Sequence, residues 1–201
     1  MECNLYMVMR WIVLLMLLVF TVFSIVGTTQ PIFVHDLTED DQTGKVTVTF
    51  FMIQMTKTTL TAPAFTVPAG NYSRLNYASC GAFKSSMRAS EAFAISGSVC
   101  GFFALLSSCV QCLFRLKMKL CIFVFTIFAF VSEFLCIIVV GSAYTTTFCK
   151  NNYTTNSSAI VFKSVGYKLA SGFVLHVVAV LGFAVCVILA PFTQQLWCSS
   201  C

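Results

Sequence analysis

Apolar positions in this chain are gathered rather than alternating. Four near-continuous runs of Leu, Val, Ile, Phe and Ala occupy residues 11–27, 92–113, 120–143 and 171–191, and polar residues fill the intervals. Each run is about 20 residues long, the length a helix rising 1.5 Å per residue needs to cross roughly 30 Å of hydrocarbon. The predicted fold class is all-α membrane: a four-helix transmembrane bundle with a small extracellular β-containing domain in the first loop. The intervals are then an N-terminal segment (1–10), a first loop (28–91), a short loop (114–119), a second loop (144–170) and a tail (192–201). The first run has a second reading, because a basic residue such as Arg10 ahead of an apolar core, with Gly27 near its end, is also the outline of a cleaved signal peptide.

The first loop has a pattern of its own. Asp36, Glu39, Asp40 and Asp41 form an acidic stretch up to Gly44, and residues 45–55 are then rich in Val, Thr and Phe. That composition predicts one β-strand over 45–55. Pro63, Pro68 and Gly70 break any helical pattern beyond it, so a small sheet or hairpin with long connections is expected.

Composition agrees with a lipid environment: 58% of residues are hydrophobic and 9% charged, against roughly 25% charged in soluble domains. The lipid bilayer is thus the first partner. The net charge of +5 is scattered, with no basic run interleaved with aromatics, which argues against nucleic-acid binding. Hydrolase, kinase, phosphate-loop and metalloprotease motifs are lacking, and no enzyme activity or cofactor is expected. Cys198 and Cys201 form a CxxC, but no second pair or histidine accompanies them to make a zinc site.

Two classes of residue orient the spans. Arg115, Lys117 and Lys119 crowd the shortest loop, and short loops collect Lys and Arg on the cytosolic side. With four spans, both termini then lie in the cytosol. Glycosylation acceptors work only on the opposite side, and the sequons at Asn71, Asn152 and Asn156 all fall in the two loops assigned there.

Most of the eleven cysteines lie in or beside the spans. Cys80 and Cys149, one in each external loop, are the disulfide candidates, a bridge that would fasten the outer domain to the bundle. Cys3, Cys109, Cys112, Cys121, Cys198 and Cys201 lie near the cytosolic face, and Cys3, Cys112, Cys198 and Cys201 are palmitoylation candidates. Their other reading is as small apolar residues.

Span two lines Ala94, Gly97, Gly101, Ala104 and Ser108 along one face, which lets helices approach closely in lipid. Such a face serves either the bundle itself or a homo-oligomer. Span four has a comparable face through Gly172, His176, Ala179, Cys186 and Ala190. Glu133 is the one carboxylate deep within a span and shares a face with Thr126, Ala129, Cys136 and Val140. Counted from Lys119 and Pro191, Glu133 and His176 both sit roughly 21 to 23 Å from the cytosolic edge, a depth at which they can meet as an intramembrane polar pair. An ionisable residue at that depth is a functional candidate for a proton or ion path; its other role is a hydrogen-bonded pair that fixes helix register.

Two local runs resemble a known family. Arg88-Ala89-Ser90-Glu91-Ala92-Phe93-Ala94 resembles the segment entering span two of the amastins, and Tyr167-Lys168-Leu169-Ala170-Ser171-Gly172-Phe173-Val174-Leu175 resembles their entry into span four. The likeness covers about residues 80–192. The amastins are four-span surface glycoproteins of trypanosomatid parasites with a claudin-like plan. Their first-loop signature is a pair of cysteines around a Trp-Gly core with a nearby basic residue, whereas this loop has only Cys80 and no tryptophan. The resemblance implies a plasma-membrane protein of the intracellular stage, acting in contact with a host membrane or surface protein or in surface homeostasis. The leading expectation is a structural or adhesive surface glycoprotein whose first loop makes the contact; the rival is a small proton or ion transporter or channel component using Glu133 and His176.

Overall fold

The computed structural model describes residues 2–39, 42–55, 72–74, 81–114, 118–146, 162–164 and 166–193. Its order is α1 (Glu2–Thr29), β1 (Phe33–Glu39), β2 (Gln42–Val48), β3 (Met52–Met55), β4 (Tyr72–Arg74), α2 (Gly81–Phe114), α3 (Lys119–Thr145), β5 (Lys168–Leu169) and α4 (Ser171–Leu189), ending in a 3₁₀ turn, Ala190–Thr193. The protein is mostly helical, with four helices long and apolar enough to cross a membrane: Met7–Thr29, Gly81–Phe114, Lys119–Thr145 and Ser171–Phe192. A small antiparallel sheet lies between α1 and α2 in the chain.

Helix ends differ from the ends of the apolar runs. α2 starts at Gly81, so residues 81–91, expected as loop, are helical. Phe83, Met87, Ser90 and Ala94 recur at spacings of three and four and are all buried, which supplies an apolar stripe where mean hydropathy is low. The 34 residues of α2 reach about 51 Å at 1.5 Å each, well beyond a hydrocarbon layer.

The chain forms two compact units, Met1–Ile25 with Ala94–Phe134 and His176–Cys201, and Val26–Phe93 with Leu135–Leu175. In the first, parts of all four helices pack through buried positions spaced by three or four. These are Val13, Leu17, Thr21 and Ser24 on α1; Gly97, Gly101, Ala104, Ser108 and Gln111 on α2; Ile122, Thr126, Ala129 and Glu133 on α3; and His176, Ala179, Phe183 and Cys186 on α4, continued by Ala190 in the 3₁₀ turn. That alternation keeps one seam of each helix facing its neighbours.

The second unit holds the sheet, in the order β4-β3-β2-β1-β5. Here the single strand expected over 45–55 is two strands. Thr49 causes the break: its backbone amide and its hydroxyl both donate to the Met52 carbonyl, at 2.9 and 3.0 Å, and its Oγ1 accepts from the amides of Phe51 and Met52 at 3.3 and 3.0 Å. A threonine that satisfies the local backbone in this way competes with the ladder and reverses the chain. β5 pairs with β1 at Phe33↔Leu169 and Val34↔Lys168, so the segment before α4 completes the sheet.

Under the sheet, Phe33, Phe83 and Phe162 stack with ring centroids 5.3 and 4.8 Å apart through Phe162, and Tyr167 meets Phe162 at 4.9 Å and His35 at 4.7 Å. Gly166, at φ 94°, turns the chain so that the Tyr167 amide reaches the Phe162 carbonyl at 3.1 Å. That conformation suits glycine. Burial pushes the Tyr167 phenol well above its ordinary range, because the phenolate would lose its water.

Candidate functional site

The most polar point of the helical core draws one side chain from each helix. Glu133 of α3 is fully buried and His176 of α4 is 1% exposed. His176 Nδ1 lies 2.6 Å from Glu133 Oε2. On the other side of the carboxylate, the buried Ser24 hydroxyl of α1 donates to Oε1. Ser24 Oγ is also 2.6 Å from Ser98 Oγ of α2. A serine hydroxyl has one proton, and that of Ser24 is committed to the carboxylate, so Ser98 is the donor in this second bond. The hydrogen bonds therefore run from Ser98 to Ser24 to Glu133. With its proton on Nδ1, His176 donates to the other oxygen, and the carboxylate collects donors from both sides.

Close helix approach makes room for the acid. A Cβ at Gly97 would lie 2.7 Å from Glu133 Oε1 and 2.8 Å from its Cγ, so only glycine at this point of α2 lets the carboxylate sit against the backbone. The core around Leu17, Ala104, Ala129, Phe183 and Cys186 is apolar. Thr126, two turns before Glu133, spends its hydroxyl on the Ile122 carbonyl of its own helix at 2.6 Å. Two further polar atoms, Thr21 Oγ1 and Gln111 Nε2, are buried without a hydrogen-bond partner among the described residues. Those same residues hold no group of three or more His, Cys, Asp or Glu side chains able to bind a metal.

Ser24 and Ser98 are members of this cluster that sequence reasoning missed. The signal for Ser24 is present on α1, where Val13, Leu17, Thr21, Ser24 and Thr28 recur at spacings of three and four and are all buried. Ser98 has a weaker signal, since it neighbours Gly97 on the seam and is half-buried. Gly182 was missed as well: a Cβ there would meet the Phe20 ring at 2.1 Å.

Of the other residues singled out in the sequence, Ala94, Gly97, Gly101, Ala104 and Ser108 are all buried within the one chain. Cys112 is half-buried near the end of α2 and Cys121 is exposed near the start of α3; Cys3 lies in α1. Asn71, Cys80, Cys149, Asn152, Asn156, Cys198 and Cys201 lie outside the described residues. Cys100, Cys109, Cys112, Cys121 and Cys186 are free thiols.

The model of the Amastin surface glycoprotein family matches residues 17–189, from the middle of α1 to the end of α4. The chain belongs to the amastin family. No curated protein matches it. The match to this amastin takes in the whole sheet and all four members of the polar cluster, although its first loop lacks the paired cysteines and tryptophan. Family membership and four membrane-length helices make it a surface membrane glycoprotein.

Proposed function

We propose that this amastin is a structural, adhesive protein of the plasma membrane whose first-loop sheet contacts another membrane or a surface protein. The observation that carries the reading is the sheet itself. It draws strands from both sides of the α2–α3 pair in the chain, and its ladder closes directly onto the spans, with the Ala170 amide 2.8 Å from the Ile32 carbonyl. One sheet face packs Phe33, Val46, Val48 and Ile53, which are buried; the other presents Asp36, Lys45 and Lys168, which are exposed. A rigid, polar outward face mounted on membrane helices suits recognition rather than chemistry. In this reading both termini are cytosolic, Asn71, Asn152 and Asn156 carry glycans, and Cys3, Cys112, Cys198 and Cys201 are acylation sites at the opposite face. A Cys80–Cys149 bridge would add to the β1–β5 pairing.

One substitution tests orientation and contact together. Lys45→Asn places an asparagine two residues before Thr47 and so creates a sequon on the outward face. The expected result is a glycosidase-sensitive mass increase over the parent, undiminished surface display, and at least a tenfold loss of adhesion to target cells. Adhesion that survives full occupancy of the new site removes the sheet face as the contact.

A second reading, proton or ion transport, draws on the Ser98–Ser24–Glu133–His176 chain. Each of four helices contributes to it, and a buried acid is costly without a role. Its test is pH-driven flux in vesicles: the transport reading expects flux in the parent and at least a tenfold drop in Glu133→Gln. An inactive parent, or an unchanged variant, leaves the cluster a structural tie.

A further inference from the structure

The ladder fixes which end of the sheet faces the membrane. Leu169, Phe33, Val48, Ile53 and Ser73 form one row across the five strands. On one side of that row the chain enters helices: Thr29 ends α1 four residues before Phe33, and Ser171 begins α4 two residues after Leu169. On the other side lie the far ends of β1 and β2, Glu39 and Gln42, about 20 Å away at 3.3 Å per residue. The turn between β2 and β3, residues 49–51, lies on the helix side. It is seated there by the Ile32 amide, which donates to the Val48 carbonyl at 2.7 Å, and by the Thr49–Met52 bonds described above.

A turn in water is expected to be polar, yet this one reads Thr-Phe-Phe and is followed by Met52 at the start of β3. Phe50 points into the core at 0% exposure, while Phe51 and Met52, at 40% and 36%, are exposed. Other exposed apolar side chains of the same unit belong to this end of the sheet: Leu169 in the row itself, Val26 in the last turn of α1 and Val174 in the first turn of α4. Val26 and Val174 belong to membrane-length helices, so the turn lies at the end of the sheet from which the lipid-facing helices leave. Neighbouring strands are about 5 Å apart, which puts the turn only about 5–10 Å sideways from β1, the strand that emerges from α1.

We infer that the β2–β3 turn is a membrane-interface anchor, with Phe51 and Met52 inserted among the headgroups and upper acyl chains of the protein's own bilayer on the sheet's side. The partner is lipid of that same membrane, not a facing one, because the turn points the way the helices point. Such an anchor holds the sheet at a set height and leaves its other end, and its polar face, turned to the medium. This inference rests on the spans and the ladder and is independent of the adhesive reading.

The test uses the full chain in phosphatidylcholine vesicles, with Trp11 and Trp197 changed to phenylalanine to clear the background. Emission from Phe51→Trp should fall by roughly half with phosphatidylcholine brominated near the carbonyl, since an interfacial side chain lies about 5–10 Å into that region. The indole of Asp36→Trp, three residues beyond Phe33 on the side away from the helices, should instead be quenched by aqueous iodide. Three outcomes overturn the anchor: iodide quenching of Phe51→Trp equal to that of Asp36→Trp; no response to bromolipid; or quenching only when the bromolipid is in added, protein-free vesicles, which would assign the turn to a facing membrane. Photoactivatable phosphatidylcholine with the unmodified protein provides a check free of substitutions. Cross-links to the peptide containing residues 49–53 support the anchor, and their absence alongside cross-links to α1 and α4 counts against it.

Discussion

Glu133→Ala is expected to cost this amastin about 3 kcal/mol of stability, read as a lower unfolding temperature in nanodiscs and reduced surface delivery. The figure follows from weighing two effects. Hydrogen bonds between membrane helices average only about 0.6 kcal/mol, because chains separated in lipid also find partners. Removing one member of a buried pair costs about 3–5 kcal/mol, because the other is left with no counterpart. The second effect wins here: alanine takes away the carboxylate oxygen 2.6 Å from His176 Nδ1 and opens a void in an apolar core, while the Ser24 hydroxyl can turn to Ser98 Oγ. Glu133→Gln keeps the shape and one acceptor oxygen and should cost about 1 kcal/mol. The decisive comparison is the double variant Glu133→Ala/His176→Ala. If Glu133 ties the helices, the double variant loses less than the two single losses added, because neither partner is stranded. Strict additivity would mean that the 2.6 Å contact contributes little.

How far such a cluster can be read from sequence depends on what places each residue. Apolar runs of spanning length report the four helices directly, because lipid demands about 20 apolar residues from each. Counting along straight helices sets Glu133 and His176 at one depth without any knowledge of packing. Ser24 escapes that count, since a serine in a hydrophobic run has little signal of its own and acquires meaning only from the seam it shares with Leu17 and Thr21. The sheet shows the same division. Residues 45–55 look extended from their Val, Thr and Phe content, but the division into β2 and β3 turns on the side chain of Thr49, a local bond that propensity averages away. β5 is two residues long and exists through its pairing with β1, so no periodicity announces it. Helix ends fail for a related reason: α2 runs back to Gly81 on an amphipathic stripe, while the apolar run marks only the part suited to lipid.

Gly172→Ala is expected to be as damaging, against the ordinary rule for glycine in helices. Alanine is favoured over glycine inside a helix by about 1 kcal/mol, and Gly141, whose Cβ position meets nothing within 4 Å, should follow that rule: Gly141→Ala is predicted to be neutral or stabilising. At Gly172 a Cβ would meet the carbonyl oxygens of Gln30 and Pro31 at 2.8 Å and of Gly27 at 3.0 Å. These are backbone atoms and cannot rotate aside. They belong to the point where α1 ends and α4 begins, and the two ends complement each other. Early amides are groups that a helix leaves unpaired, and here the Gly172 amide of α4 donates to the carbonyl of Pro31, two residues past α1, at 2.9 Å, while the Ala170 amide just ahead of α4 donates to that of Ile32 at 2.8 Å. The negative end of one helix dipole thus meets the positive end of the other. A methyl group at position 172 must push that junction apart, at a cost of about 3 kcal/mol, the upper end for overpacking. The same strain bears on Phe33↔Leu169, one residue from each side of the junction, so hydrogen exchange should quicken at the β1–β5 pair in Gly172→Ala and stay unchanged in Gly141→Ala. Equal melting temperatures for the two variants would mean that the junction yields, and that the sheet is held over the helices by its aromatic core alone.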